Sequence, residues 1–165
     1  MEFVWLTMNQ LNALADSDSE LRKYFVSALA CDELPKTPGR VRPRAYIVNT
    51  HHGDKLGEHS IAVGTKNDTC ELLDSYVLPL TTYEFLTPFI VWLNCSPYVH
   101  QNTRALQSVK TASCGNYAIM YLLCKAQGKS MDEFYSMFSE HDFVGNDYKV
   151  GNILEEIIKT QIKQH

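Results

Sequence analysis

No two of the five cysteines, at positions 31, 70, 95, 114 and 124, have CxxC spacing. A zinc site assembled from such pairs is therefore without support, and no metal is expected. An odd number of thiols scattered over 165 residues also argues against a disulfide framework. The pattern fits a reducing intracellular compartment in which most thiols are buried. No apolar run approaches the roughly 18 residues that a membrane-spanning helix needs. Met1–Leu6 is too short for a secretory signal and carries Glu2. Nor is there an excess of basic charge. Fifteen Lys and Arg against nineteen Asp and Glu leave a formal net charge of −4, which argues against broad attraction to nucleic acid or to a membrane surface. Arg40, Arg42 and Arg44 lie close together but read as a solvated loop. Internal repeats and low-complexity stretches are missing too.

What remains is a chain of a length and composition suited to one soluble domain over residues 1–165. Thr7 with Gln10 makes a capping box for a helix through Leu14. Ser17 or Asp18 is expected to open a second helix, because Leu21, Tyr24, Phe25 and Leu29 recur at helical spacing. Pro35, Pro38, Gly39 and Pro43 mark a loop. Ala45–Thr50 reads as a buried strand and His51–Gly57 as a polar turn. His59–Gly64 and Cys70–Val77, joined across Lys66-Asn67-Asp68, read as an antiparallel hairpin. Thr81 with Glu84 is a further capping box, and Thr87 with Pro88 starts a helix reaching Leu93. A short strand is expected over Tyr98–Gln101. Cys114–Ala126 is apolar all round at its centre, which predicts a buried helix stopped by Gly128. Ser130 and Glu133 cap a helix to about Glu140, and Ile153, Ile157, Ile158 and Ile162 stripe a terminal one. The predicted class is α+β: a small, mostly antiparallel central sheet packed by helices, with a cysteine at the start of a buried central helix.

That cysteine carries the chemistry. A helix N-terminus presents unpaired amides and the positive end of the macrodipole, which stabilise negative charge on a sulfur. The Cys114 amide can also face an oxyanion formed on a substrate carbonyl, and Gly115 lets a substrate backbone approach. His59, opening a strand after a glycine-bearing turn, is the candidate proton acceptor, with His51 and His52 as competitors in the turn. Asp74 lies on the paired strand between apolar flanks, where a carboxylate requires a partner. It would orient the imidazole. Gln107, seven positions before Cys114, can fold back to supply a second oxyanion donor. Singly, each has an ordinary alternative: a buried thiol, a structural histidine, a solvated carboxylate, a surface amide. Their order across hairpin, loop and helix is what singles out the set.

The residues Ala45–Thr50, Gly57-Glu58-His59, Thr69-Cys70 through Asp74-Ser75-Tyr76, and Gln107-Ser108-Val109 ahead of Ala112-Ser113-Cys114-Gly115 resemble the adenain family of cysteine proteases. That family comprises the adenovirus endopeptidase and its homologues in large DNA transposons and related viruses. Tyr24-Phe25, Asp32-Glu33-Leu34-Pro35, and Asn146-Asp147 ahead of the last helix add to the likeness. The resemblance implies the adenain and ubiquitin-like-protease type of fold, with His59, Asp74, Gln107 and Cys114 as the catalytic set. Gly57, Glu58 and Gly115 would then bind substrate. It also implies cleavage after glycine in Gly-Gly or Gly-X sites of viral or transposon precursor proteins, by a monomer needing no cofactor, in the host nucleus, the cytoplasm or the virion. The same clan contains enzymes that remove ubiquitin-like modifiers, so an isopeptidase is one alternative and a catalytically silent scaffold module another. Three departures stand out. Ser60 follows the histidine where the family often has an aromatic, so a ring contact to the histidine should be lost. The acid is Asp rather than the adenoviral Glu. Adenoviral enzymes are stimulated by DNA and by a disulfide-bonded peptide. DNA is not expected to act on an acidic chain, and Cys95 lies in the region where an activating peptide would attach.

Overall fold

The computed structural model describes residues 5–34, 44–50, 59–66, 69–83 and 99–164. Helix α1 spans Met8–Ser17, and its start follows the predicted capping box: the Thr7 hydroxyl accepts from the Gln10 amide while the Gln10 side chain accepts from the Thr7 amide. Two orphan donors are thereby satisfied. Leu11, Leu14 and Ala15 form its buried stripe.

The second predicted helix does not form. The Asp18 carboxylate does accept from the Glu20 and Leu21 amides, but the turn that follows covers only Leu21–Lys23. Strand β1, Phe25–Ala30, comes next. An irregularity in register between Phe25 and Ser27 breaks the alternation, so Phe25 and Leu29, one turn apart in a helical pattern, lie on opposite faces of the strand. Pairing with a distant segment decides the matter. β1 lies parallel to β2, Arg44–Asn49, and buries Phe25 and Ala28 on one face and Leu29 on the other.

β3 (Ser60–Lys66) and β4 (Thr69–Leu73) form the expected hairpin, and β5 covers Val99–Gln101. The sheet runs β1-β2-β3-β4-β5. Its three central strands are antiparallel, while both edge strands join in parallel. The sheet is thus mixed rather than mostly antiparallel. Parallel neighbours require long crossovers, which leave no local pattern in a sequence.

Helix α2, Cys114–Ala126, lies on one face of the sheet, and every residue from Cys114 to Cys124 is buried. Ala45, Ile47, Ala62 and Leu73 meet it there, together with Leu11 and Leu14 of α1. Tyr46, Val48, Ile61, Val63 and Leu72 form a second cluster on the opposite face. Gly128, at φ 81°, ends the α2 segment, with its amide bonded to the Lys125 carbonyl. α3 begins at the Ser130–Glu133 capping box but covers only Met131–Tyr135, short of the expected end near Glu140. The Arg104 guanidinium takes the Tyr135 and Phe138 carbonyls that a longer helix would use internally. α4 covers Phe143–Lys163. Asn146 and Asp147 therefore lie inside its first turns, not ahead of it. Leu80–Thr82 form a single tight turn; the Glu84 half of the expected Thr81 capping box lies outside the described residues. The helix expected over Thr87–Leu93, the proline loop after Leu34 and the polar turn over His51–Gly57 lie outside the described residues. Among the described residues no helix is long and apolar enough to cross a membrane.

Candidate active site

β2 ends, β3 begins and β4 ends at one margin of the sheet, since Asn49 pairs with Ser60 and Ala62 with Leu73. His59 directly precedes β3 and Asp74 directly follows β4. The hairpin therefore brings them together across fifteen positions, and the His59 Nε2 lies 2.8 Å from Asp74 Oδ1. Facing a carboxylate, that nitrogen carries the hydrogen and donates it. Cys114 opens α2 beside them, and the Ser60 amide donates to its sulfur at 3.3 Å. All three side chains are buried. The second imidazole nitrogen, Nδ1, makes no hydrogen bond, although the Cys114 sulfur is close enough to favour a proton on the ring. Such contacts are commonly loose before substrate arrives.

Burial alone would drive the imidazole toward its neutral form. The Asp74 carboxylate and the Cys114 sulfur outweigh it, and His59 is pushed up from 6.5 to about 9. Asp74 behaves in the complementary way. Burial would raise it, yet hydrogen bonds from His59 and Tyr83, the charge of His59 and the Tyr76 amide hold it below the usual carboxylate range. Its oxygens are fully engaged: Oδ1 accepts from His59 and the Tyr76 amide, Oδ2 from the Leu78 amide and the Tyr83 hydroxyl. Four donors match the four lone-pair sites of a carboxylate. The Asn102 side chain anchors the Asp74 backbone, accepting from its amide at 2.8 Å and donating to its carbonyl at 2.7 Å. Between the two amides that bond Asp74, Val77 sits at φ 57°, a region that β-branched residues rarely enter.

Gln107 is buried on the loop that leads to α2. Its carbonyl oxygen accepts from the Ser75 hydroxyl at 2.6 Å, and its NH2 donates to the Thr111 carbonyl at 3.0 Å. One amide hydrogen is thus used and a second remains. The loop is pinned from below by Asp147 of α4, which accepts from the Ser108 amide, the Thr111 hydroxyl and the Tyr117 hydroxyl. Burial raises the Asp147 carboxyl despite these donors. The Ser113 hydroxyl makes no capping bond at the start of α2.

No family model matches this sequence, and no curated protein matches it. Among solved structures, the crystal structure of the ASFV pS273R protease aligns with a TM-score of 0.52 at 12% identity, over 91% of this chain and 67% of that one. The fold is that of the ASFV protease. A selenomethionine form of the same protease aligns with a TM-score of 0.40 at 18% identity, over 67% of this chain and 44% of that chain. At these identities the likeness to the ASFV protease is one of fold.

On this ASFV-protease fold several neighbours of the imidazole come from residues that carry no motif. The expected loss of an aromatic contact at Ser60 is made good from elsewhere. The Tyr76 ring stacks on His59 with centroids 4.8 Å apart, and Tyr83 lies at 6.2 Å. Tyr76 stood two residues from Asp74 in the sequence. Nothing local marked Tyr83, Asn102 or the Ser60 amide. Gly115 packs against α1 and the residue before its cap. A Cβ there would lie 3.3 Å from Leu11 Cδ1 and 3.9 Å from the Leu6 carbonyl oxygen, so the missing side chain lets α1 close on α2. Gly57, Glu58, Cys95, His51 and His52 fall outside the described residues. Among the described residues no disulfide involves Cys31, Cys70, Cys114 or Cys124. Among the described residues no three His, Cys, Asp or Glu side chains converge as metal ligands.

Proposed function

We propose that the protein is a cysteine endopeptidase that cleaves after glycine in Gly-Gly or Gly-X sites of viral or transposon precursor proteins. The observation that carries this reading is the His59 imidazole, bonded to Asp74 through Nε2 with its other nitrogen beside a sulfur at a buried helix start. His59 holds the proton of the Cys114–His59 pair on Nδ1, the two resting as an ion pair, and the Cys114 sulfur attacks the scissile carbonyl. The Cys114 amide and the remaining Gln107 amide hydrogen bind the resulting oxyanion, and losing one such donor costs about 10²–10³ in rate. As the tetrahedral intermediate collapses, His59 returns the proton to the leaving amine. A thioester remains. Water, deprotonated by His59, then hydrolyses it and restores the ion pair. The preference for glycine rests on the resemblance to the adenain family, as do the source of the substrates and any activating peptide at Cys95.

A glycine-vinyl-sulfone probe and a panel of Gly-Gly reporters test the reading. Labelling and cleavage should disappear in Cys114→Ala and persist in Cys31→Ala. Cleavage confined to folded ubiquitin-like reporters would replace the precursor assignment with an isopeptidase. Absence of both labelling and cleavage would leave only a binding module.

A further inference from the structure

The Asp74 side chain is short, and a carboxylate free to rotate would offer either oxygen, in any plane, to the imidazole. Two contacts on Oδ2 prevent this: the Leu78 amide at 3.1 Å and the Tyr83 hydroxyl at 2.6 Å. The first comes from the turn that contains the strained Val77. The second arrives from a separate segment, just after the tight turn Leu80–Thr82. Tyr83 is buried, and its ring lies nearly parallel to the imidazole, at 21° between planes. One side chain therefore touches both members of the His59–Asp74 pair. We infer that Tyr83 is a positioning residue, whose hydroxyl fixes the Asp74 carboxylate so that Oδ1 stays on His59 Nε2 while its ring flanks the imidazole.

Tyr83 remains a donor throughout the working range. Burial first, and then the Asp74 carboxylate, raise its phenol far above 10. The titratable groups acting on the imidazole are Asp74 and Cys114, with the Tyr76 and Tyr83 rings stacked beside it. Removing the hydroxyl concentrates the carboxylate's charge on His59, so the imidazole should hold its proton to higher pH. Freedom of the carboxylate should at the same time lower turnover.

This inference rests on the protease reading, but its test does not depend on it alone. In Tyr83→Phe, which keeps the ring, kcat on the glycine reporters should fall about tenfold, equivalent to one lost hydrogen bond to a charged group, with KM unchanged. The alkaline limb of the pH profile should move up. In an Asp74→Asn background the same substitution should add almost nothing, because Tyr83 acts through Asp74. NMR titration of the His59 ring in the resting protein, with and without the hydroxyl, should show the same upward shift. Equal kcat, an unmoved limb and an unmoved ring titration in a folded Tyr83→Phe protein would overturn the inference. So would a full tenfold loss retained in the Asp74→Asn background. If the wild-type protein cleaves no reporter, the protease reading fails by itself, and the ring titration still decides the role of Tyr83.

Discussion

Asp74 is the residue on which the local electrostatics turn. Burial works against the charge on both Asp74 and His59, and each is kept ionised by the other. That arrangement has a direction in pH. The folded imidazole titrates at about 9, above its ordinary value, so the proton needed by the leaving amine is present below that pH and lost as pH rises through it. The kcat/KM profile of the wild-type protein should fall on an alkaline limb near 9. In Asp74→Asn the strongest opponent of burial is gone, the limb should move to lower pH, and turnover should drop on the order of 10²–10⁴-fold. A variant with an unshifted limb and full turnover contradicts the role given to Asp74. Val77 presents a separate residue-scale case. At φ 57° its β-branched side chain meets the backbone, whereas asparagine tolerates that region. Val77→Asn should raise stability by about 1 kcal/mol in urea denaturation while leaving turnover intact; a lower midpoint would show that the turn stores no strain.

At the scale of elements, the loop from Gln107 to Thr111 is held from α4. Asp147→Ala would remove the acceptor of the buried Ser108 amide and of the half-buried Thr111 hydroxyl, and would leave the Tyr117 hydroxyl only its longer bond to the Leu106 carbonyl. The expected cost is about 2–4 kcal/mol in denaturant unfolding, with turnover reduced because the loop carries Gln107. Thr111→Val removes only one of the donors and should cost about 1 kcal/mol. Full stability and full rate in Asp147→Ala would mean that the loop holds itself. These elements also show where sequence patterns were readable. The capping boxes at Thr7 and Ser130, the β3–β4 hairpin and the apolar centre of α2 were visible because each follows from residues a few positions apart. The spacing of Leu21, Tyr24, Phe25 and Leu29 predicts a helix, whereas β1 forms because the segment pairs with β2, with a register irregularity after Phe25 that no local pattern signals.

Across the whole molecule, the acidic charge and the scattered thiols were settled by composition. So were the residue types available for acyl-transfer chemistry and their order along the chain. The sequence alone could propose that a histidine before one strand and an aspartate after the next face each other, because antiparallel strands joined by a short turn must align. It could not supply the rest of the site. The Ser60 amide on the sulfur, the rings of Tyr76 and Tyr83 beside the imidazole, the Asn102 anchor and the two parallel edges of the sheet come from segments far apart in the chain. Such contacts depend on loop closure and on burial summed over both faces of the sheet. No short window of residues contains either quantity, so they came into view only once the chain was folded.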